Sequence, residues 1–442
     1  MKKISQSADA AANERPKTMS EKLTIEQKLA KRRIHKPGVL YSIICPVFSK
    51  VVCGKYNIHV SFKADPRKDD RPHILIANHA SRLDYMFTGM PLLPKKYNFV
   101  VGHNELYRSH LHTILSILQV IPKRNFVADI YCIKQIKRVI SEGGNICIMP
   151  EGMSSISGHN QPVMIGTGKL IKHLGVPVYY AIISGGYLTS TKYCLDDRLG
   201  QVDVVFDLMF SPEEIKTISA DEIEATMDRL LYHDDYEWTL KERHKFASHG
   251  QIAKDLHTLL WKCPRCGAEH KMLGEGDTIK CLACGNGATI TEDYEMHPFD
   301  EGCVIPRTQT AWFDWERAQV KEEIRDPEFK LTQKVKLGTL PKYEYLKDEK
   351  TSEIVGEGVI TLDHTGLSYD GTRDGAQFHY HADIKDIPTY GMCTDVSRFY
   401  TFCGGEFLEF YPDEPVVEKW FMATEELHRL HGGKWRDFEA KQ

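Results

Sequence analysis

Between about residue 70 and residue 210 the chain alternates short apolar runs with stretches of helical period, and this alternation restricts the possible folds more than any other feature. The runs HILIAN, YNFVVG, NICIMP, VPVYYAIIS and QVDVVFDLMF are rich in Ile, Val, Phe and Tyr and are bounded by Gly, Pro or Asn, as strands are. Between them, ELYRSHLHTILSIL, VADIYCIKQIKRVIS and GTGKLIKHLG read as helices. The pattern predicts an α/β fold, a central mixed sheet flanked by helices. At 442 residues with 42% hydrophobic content, the chain can bury this core and further domains besides.

The flanking segments have other textures. Residues 1–34, with Lys, Ser, Ala and Glu prominent, read as a flexible basic leader, and 35–215 as the α/β domain. Residues 216–255 are acidic and helical, introduced by the start signal SPEE at Ser211, and read as a helical connector. Residues 256–300 carry two cysteine pairs. From 318 to 435 short strands such as EGVITLDHTGLSYDG and GEFLEFYPD are punctuated by Gly, Asp and Pro, and Val416 to Leu430 reads as a closing helix. This β-rich domain is faintly similar to pleckstrin-homology-like domains, which implies lipid or peptide binding.

A net charge of -4 argues against a bulk nucleic-acid binder, and none is expected as a partner. The charge is uneven, however: from Pro94 to Leu174 there are ten Lys or Arg against four Asp or Glu, which suits a phosphate, coenzyme A or an anionic membrane surface. No run reaches the 18 or more apolar residues of a membrane span. The segment from Gly38 to Gly54, broken by Pro46 and Lys50 and preceded by AKRRIHK, fits an interfacial anchor or a buried core helix. It lacks the small-residue cleavage site of a signal peptide. Eight of the twelve cysteines are scattered, often in apolar strings, which points to a reducing compartment.

Four stretches carry chemistry. ANHASRLDY places His79 five residues before Asp84, but the spacing alone decides little, because His381 and Asp386 repeat it and Ser81 with Asp84 is also a helix-start signal. MPEGMSS follows the strand NICI, so Glu151 could accept a hydrogen bond from a substrate hydroxyl and Gly152 would allow close backbone approach. IPKRN sets Lys123 and Arg124 side by side in an expected loop, where the arginine fork could hold a phosphate. GVPVYYAIISGG is a strand entered through Val176 and Pro177.

In that order the four stretches resemble the glycerolipid acyltransferase family typified by lysophosphatidic acid acyltransferases. The family's NHxSxxD motif is matched at Asn78, His79, Ser81 and Asp84, and its EGTRS motif at Glu151, Gly152 and Ser155. The second motif is met at Arg124 and the fourth around Val176 to Ala181, so the resemblance covers roughly residues 35 to 215. It implies that His79 is a general base oriented by Asp84, taking the proton of an acceptor hydroxyl as it attacks an acyl thioester. It also implies substrate-binding roles for Asn78, Ser81, Lys123, Arg124, Glu151, Gly152 and Ser155. Met153 and Ser154 stand where the family has Thr and Arg. That arginine is associated with the acceptor's phosphate, so Arg124, Lys123 or another cation is left to hold one.

Cys263 and Cys266, then Cys281 and Cys284, form two CxxC knuckles, and Gly267 and Gly285 follow them. Four thiolates at this spacing suit one tetrahedral zinc ion per chain, and an all-sulfur set makes it structural. His257, His270 and His297 lie near but read as surface residues. A zinc ribbon with no basic stripe suits a protein partner rather than nucleic acid.

These readings converge on an enzyme held peripherally on the cytoplasmic side of a membrane. It would transfer a fatty acyl group from acyl-CoA or acyl carrier protein to the hydroxyl of a lysophospholipid such as 1-acylglycerol-3-phosphate, giving phosphatidic acid. The alternatives are a different acceptor, or a non-catalytic lipid-binding scaffold built on the ribbon and the C-terminal domain.

Overall fold

The apolar runs of the first half become strands of one sheet. The computed structural model describes residues 22–51, 53–348 and 350–434. The chain begins with α1 (Ile25–Lys31), α2 (Val39–Val51), β1 (Asn57–Phe62), β2 (Ile74–Ala77), α3 (Asp84–Gly89) and β3 (Tyr97–Gly102). It continues through α4 (Ser109–Ile117), β4 (Ile121–Lys123), α5 (Ile130–Ser141), β5 (Asn145–Ile148), α6 (Thr167–Leu174) and β6 (Val178–Ser184). A one-turn α7 (Gly186–Thr189) precedes β7 (Gln201–Phe210). The seven strands lie in the order β1-β7-β6-β2-β5-β3-β4. Only the β6–β7 pair is antiparallel; the rest are parallel, so the sheet is mixed as expected.

Register explains how the site is assembled. Ile76 of β2 pairs with Ile148 of β5 and with Tyr180 of β6, so these parallel strands end together. The residues that follow β2, β3, β4 and β5 therefore emerge along one edge of the sheet, the side on which parallel α/β sheets bind ligands. The central strands ILIA and NICI are buried at every position, which is why they carry no polar alternation.

Two expectations are corrected here. Residues 24–34, within the expected flexible leader, are packed: Thr24 and Gln27 close a capping box, and Ile25, Leu29 and Ile34 are buried. Residues 1–21 lie outside the described residues. The loop expected around Lys123 is in part the short edge strand β4, which pairs with β3 from Val100 to Gly102.

The segment read as a connector is bound to the first domain rather than strung between two. It contains α8 (Pro212–Thr217), α9 (Ala220–Leu231) and α10 (Asp235–Glu242). Glu224 of α9 accepts from the backbone N–H groups of Gly166 and Gly168 at 2.7 and 2.9 Å, so its carboxylate caps α6 from outside. Beyond it, β8 (Met272–Glu275), β9 (Thr278–Cys281), β10 (Gly287–Ile290) and β11 (Met296–Pro298) make a small antiparallel sheet.

After α11 (Gln309–Glu323) comes a second seven-stranded sheet, wholly antiparallel. Its members are β12 (Lys330–Thr339), β13 (Glu353–Asp363), β14 (Gly366–Arg373), β15 (Ala376–Asp383), β16 (Gly391–Met392), β17 (Phe399–Thr401) and β18 (Leu408–Pro412). They run in the order β15-β14-β13-β12-β18-β17-β16. The terminal helix α12 (Val417–Leu430) packs beside α11, where Arg317 bridges Glu425 and Glu426 at 2.7 and 3.1 Å. One apolar core runs through all these parts, joining Leu75 and Tyr187 to Trp261, Trp312 and Phe399.

Candidate active site and metal centre

The loop after β2 is fixed before any chemistry begins. Asn78 is buried and uses its amide like a strand: Oδ1 accepts from Ile183 N–H at 2.8 Å and Nδ2 donates to Ile183 O at 2.9 Å. This clips the loop to β6 and aims His79 off the sheet edge. His79 Nδ1 lies 2.7 Å from Asp84 Oδ2. The other oxygen, Oδ1, accepts from Ser81 N–H at 2.9 Å and from the Ser81 hydroxyl at 3.2 Å. The two readings of Asp84 were therefore not rivals, since one carboxylate shapes the turn into α3 and orients the histidine.

With Nδ1–H directed at a carboxylate, the lone pair of the neutral imidazole falls on Nε2. Among the described residues Nε2 has no hydrogen-bond partner. The His79 side chain is 25% exposed while that of Asp84 is 2% exposed, so the imidazole meets solvent and the carboxylate beside it does not. Burial raises the Asp84 carboxyl above its ordinary value, and the His79 and Ser81 hydrogen bonds oppose the rise.

The loop after β5 holds His79 by its backbone. Glu151 Oε1 accepts from His79 N–H at 2.6 Å, and Ser155 N–H donates to His79 O at 2.7 Å. The second Glu151 oxygen accepts from Gln161 N–H at 2.7 Å. Glu151 was expected to meet a substrate hydroxyl; in the structure it is wholly buried and both oxygens serve backbone donors. Burial pushes its carboxyl up to about 8, against the two N–H groups that favour the charged form. Gly152 adopts a left-handed φ of 78° that few other residues tolerate, and its carbonyl accepts from Asn125 Nδ2 at 2.9 Å. The Ser155 hydroxyl donates to His159 O at 2.5 Å.

The two cations expected at a substrate phosphate are engaged elsewhere. Lys123 Nζ donates to the carbonyls of Arg124 and Val127 at 2.7 and 3.0 Å. Arg124 Nη2 lies 2.5 Å from Glu26 Oε1 on α1, while His103 and the Tyr107 hydroxyl hold Glu26 Oε2, each at 2.7 Å. Burial would raise the Glu26 carboxyl, but His103, Tyr107 and Arg124 together hold it down at about 2.

Lys192 is the residue that sequence reasoning missed. It lies between α7 and β7 in a stretch with no motif, and only its fold neighbours reveal it. Its Nζ is 3.4 Å from Ser154 Oγ and 3.0 Å from Met392 O of β16. Met392 N–H points at Met153 Sδ, 3.2 Å away. Met392 N–H thus meets the loop directly at Met153 and its carbonyl is tied to Ser154 only through Lys192, so the contacts fall at the two positions where EGMSS differs from EGTRS. Burial pushes the Lys192 ammonium down to about 8, with Cys393, Glu418 and Asp395 drawing it back.

In the ribbon, the four expected cysteines come together. Their sulfurs lie within 4.8 Å of one another, with Cys263 to Cys284 at 3.7 Å and Cys266 to Cys281 at 3.8 Å. A tetrahedron with zinc–sulfur bonds of about 2.3 Å has edges of about 3.8 Å, so the set fits that ion. Gly267 and Gly285, both left-handed, turn each knuckle so that their N–H groups return to Cys263 O and Cys281 O at 2.9 Å. His257 accepts from Gly274 N–H and His270 stacks on Trp261, so neither joins the sulfurs.

On α2 one face is buried through Tyr41 and Cys45, while Val39, Leu40, Ile43 and Val47 are exposed. Val39 is 74% exposed, so the core-helix reading does not cover this face. Lys36, Val39, Leu40 and Ile117 help line a groove of about 680 Å³ beside it. Phe48 meets Tyr85, the residue after Asp84, with ring centroids 6.2 Å apart. No helix among the described residues is long and apolar enough to cross a membrane.

The geometry sets a solvent-facing histidine, paired with a buried aspartate, at the edge of the parallel strands. Residues 57–184, from β1 to the end of β6, match the Acyltransferase family model. Among solved structures, the 1-acyl-sn-glycerophosphate (LPA) acyltransferase PlsC from Thermotoga maritima is similar at a TM-score of 0.37 and 17% identity. That match covers 42% of this chain and 76% of the other. No curated protein matches the chain.

Proposed function

We propose that the protein transfers a fatty acyl group from acyl-CoA or acyl carrier protein to the hydroxyl of a lysophospholipid such as 1-acylglycerol-3-phosphate, giving phosphatidic acid. One observation carries this reading: His79 Nδ1 is tied to Asp84 while Nε2 is left with a lone pair facing solvent. Nε2 takes the proton of the acceptor hydroxyl as its oxygen attacks the thioester carbonyl. The carbon–sulfur bond then breaks, and the imidazolium returns its proton to the departing thiolate. Asp84 stabilises the imidazolium between these steps, and Glu151 and Ser155 keep the ring in place from behind.

The α2 face supports a peripheral membrane setting on the cytoplasmic side, since its exposed apolar residues lie beside exposed Lys31, Arg33 and Lys36. The four cysteines would hold a structural zinc ion, which knits the ribbon and leaves the chemistry to His79. The test is release of free thiol from an acyl thioester across a panel of acceptors, with the product lipid identified by mass spectrometry. Turnover that requires both an acceptor and His79 supports the reading. A different acceptor is favoured by the engagement of Lys123 and Arg124, and the same panel detects it. No thiol release with any acceptor leaves the scaffold reading.

A further inference from the structure

Lys192 is buried, only 5% exposed, yet no carboxylate oxygen lies within 4.0 Å of its ammonium among the described residues. Its acceptors are a carbonyl, Met392 O, and a hydroxyl, Ser154 Oγ. An ammonium has three N–H donors, so two neutral partners leave one donor unmatched, and the carboxylates of Glu418, Asp395 and Glu105 act on its charge only from beyond contact distance. A desolvated charge with no counter-ion in contact is costly, and the arrival of an anion at its remaining donor recovers part of that cost.

Its position gives the charge a use. Ser154 directly precedes Ser155, whose N–H grips the His79 carbonyl, and Ser154, unlike Lys192, is partly exposed, as is His79. The ammonium thus lies directly behind a partly exposed residue of the loop that holds His79. Of the other cations near this edge, Lys123 is engaged by backbone carbonyls, Arg124 by Glu26, and Arg82 by Asp197 and the Leu195 carbonyl.

We propose that Lys192 is the cation that binds the phosphomonoester of the acceptor, reaching it beside Ser154 from a segment outside the catalytic loop. The proposal rests on the acyltransferase reading and adds the group that makes it selective for a charged acceptor. The β16 strand, which caps the lysine through Met392 O, then forms one wall of the acceptor site.

The test compares lysophosphatidic acid with monoacylglycerol, which lacks the phosphate. Lys192→Met keeps most of the length of the side chain and removes its charge. It should raise KM for lysophosphatidic acid by about tenfold to a hundredfold, the scale of a lost charged hydrogen bond. KM for monoacylglycerol and for the acyl donor should stay within about twofold. Adding Ser154→Arg to Lys192→Met should return KM for lysophosphatidic acid toward the parent value, because the charge is restored at the same place. A lysine that only clamps Met392 predicts equal losses with both acceptors and no rescue, and that result overturns the proposal.

Should Lys192→Met fail to fold, Ser154→Glu in the parent supplies the test from a partly exposed position. Its carboxylate pairs with the ammonium and should raise KM for lysophosphatidic acid alone; equal effects on both acceptors, or none, overturn the proposal. If His79→Ala retains full turnover, the acyltransferase reading itself has failed. If His79→Ala is inactive while the Lys192 and Ser154 variants treat both acceptors alike, only this inference has.

Discussion

Asp84 and Glu151 each spend both carboxylate oxygens as acceptors, and this makes their amide variants informative. An amide offers one acceptor and one donor, so Asp84→Asn or Glu151→Gln must turn an N–H2 toward another N–H. Each should cost about 1–3 kcal/mol of stability, read as a lower melting temperature. Turnover should fall further for Asp84→Asn than for Glu151→Gln, because only the former touches the ring. His79→Ala should lower kcat by about a hundredfold or more with little change in melting temperature, since its ring is partly exposed and its backbone ties remain. Equal turnover by His79→Ala and the parent would rule out the base.

At this scale the NHxSxxD residues were legible because they lie within seven consecutive positions and their contacts are local. Lys192 was not, because a buried ammonium is recognisable only once residues 154 and 392 are seen beside it. Arg124 was legible as a cation but not as a committed one, since its partner Glu26 lies 98 residues earlier.

Among the elements, α1 depends on pH through Glu26. Its folded carboxyl sits at about 2 against an ordinary 4.5, so it contributes stability that is fully present above about pH 4.5 and lost as the pH falls toward 2. Hydrogen exchange across residues 25–31 should quicken through that window while β2 and β5 remain protected. Arg124→Ala should weaken the same helix at neutral pH; unchanged protection there would mean that packing of Ile25 and Leu29 suffices. On α2, replacing Ile43 and Val47 with Ser should reduce binding to anionic vesicles, and added salt should weaken the parent's binding, as surface charges act over only about 8 Å at physiological ionic strength. Binding unchanged by both would detach the helix from the membrane. The central strands could be read directly because burial on both faces leaves continuous apolar runs. β1, with most of its residues exposed, and three-residue β4, with Pro122 inside it, carry no such signal; pairing with β7 and β3 makes them strands.

Across the whole molecule the ribbon is joined to α11 and α12 by charge, where Lys262 meets Glu269 and Glu323 and Lys419 meets both acids again, and all of these parts share a core with the first domain. Cys281→Ser should lose about one zinc ion per chain by elemental analysis. Because the core is continuous, its melting temperature should fall for the entire chain rather than for a detached half. Two separate transitions would show that the parts are less coupled than their packing indicates. The Met392 clamp also sets an order of events during synthesis. Ser154 leaves the ribosome well over two hundred residues before Met392, and at about 5–20 residues per second the catalytic loop waits some ten seconds or more for its wall. A nascent chain can therefore form its first sheet well before the loop from Met149 to Ser155 gains its contact with Met392.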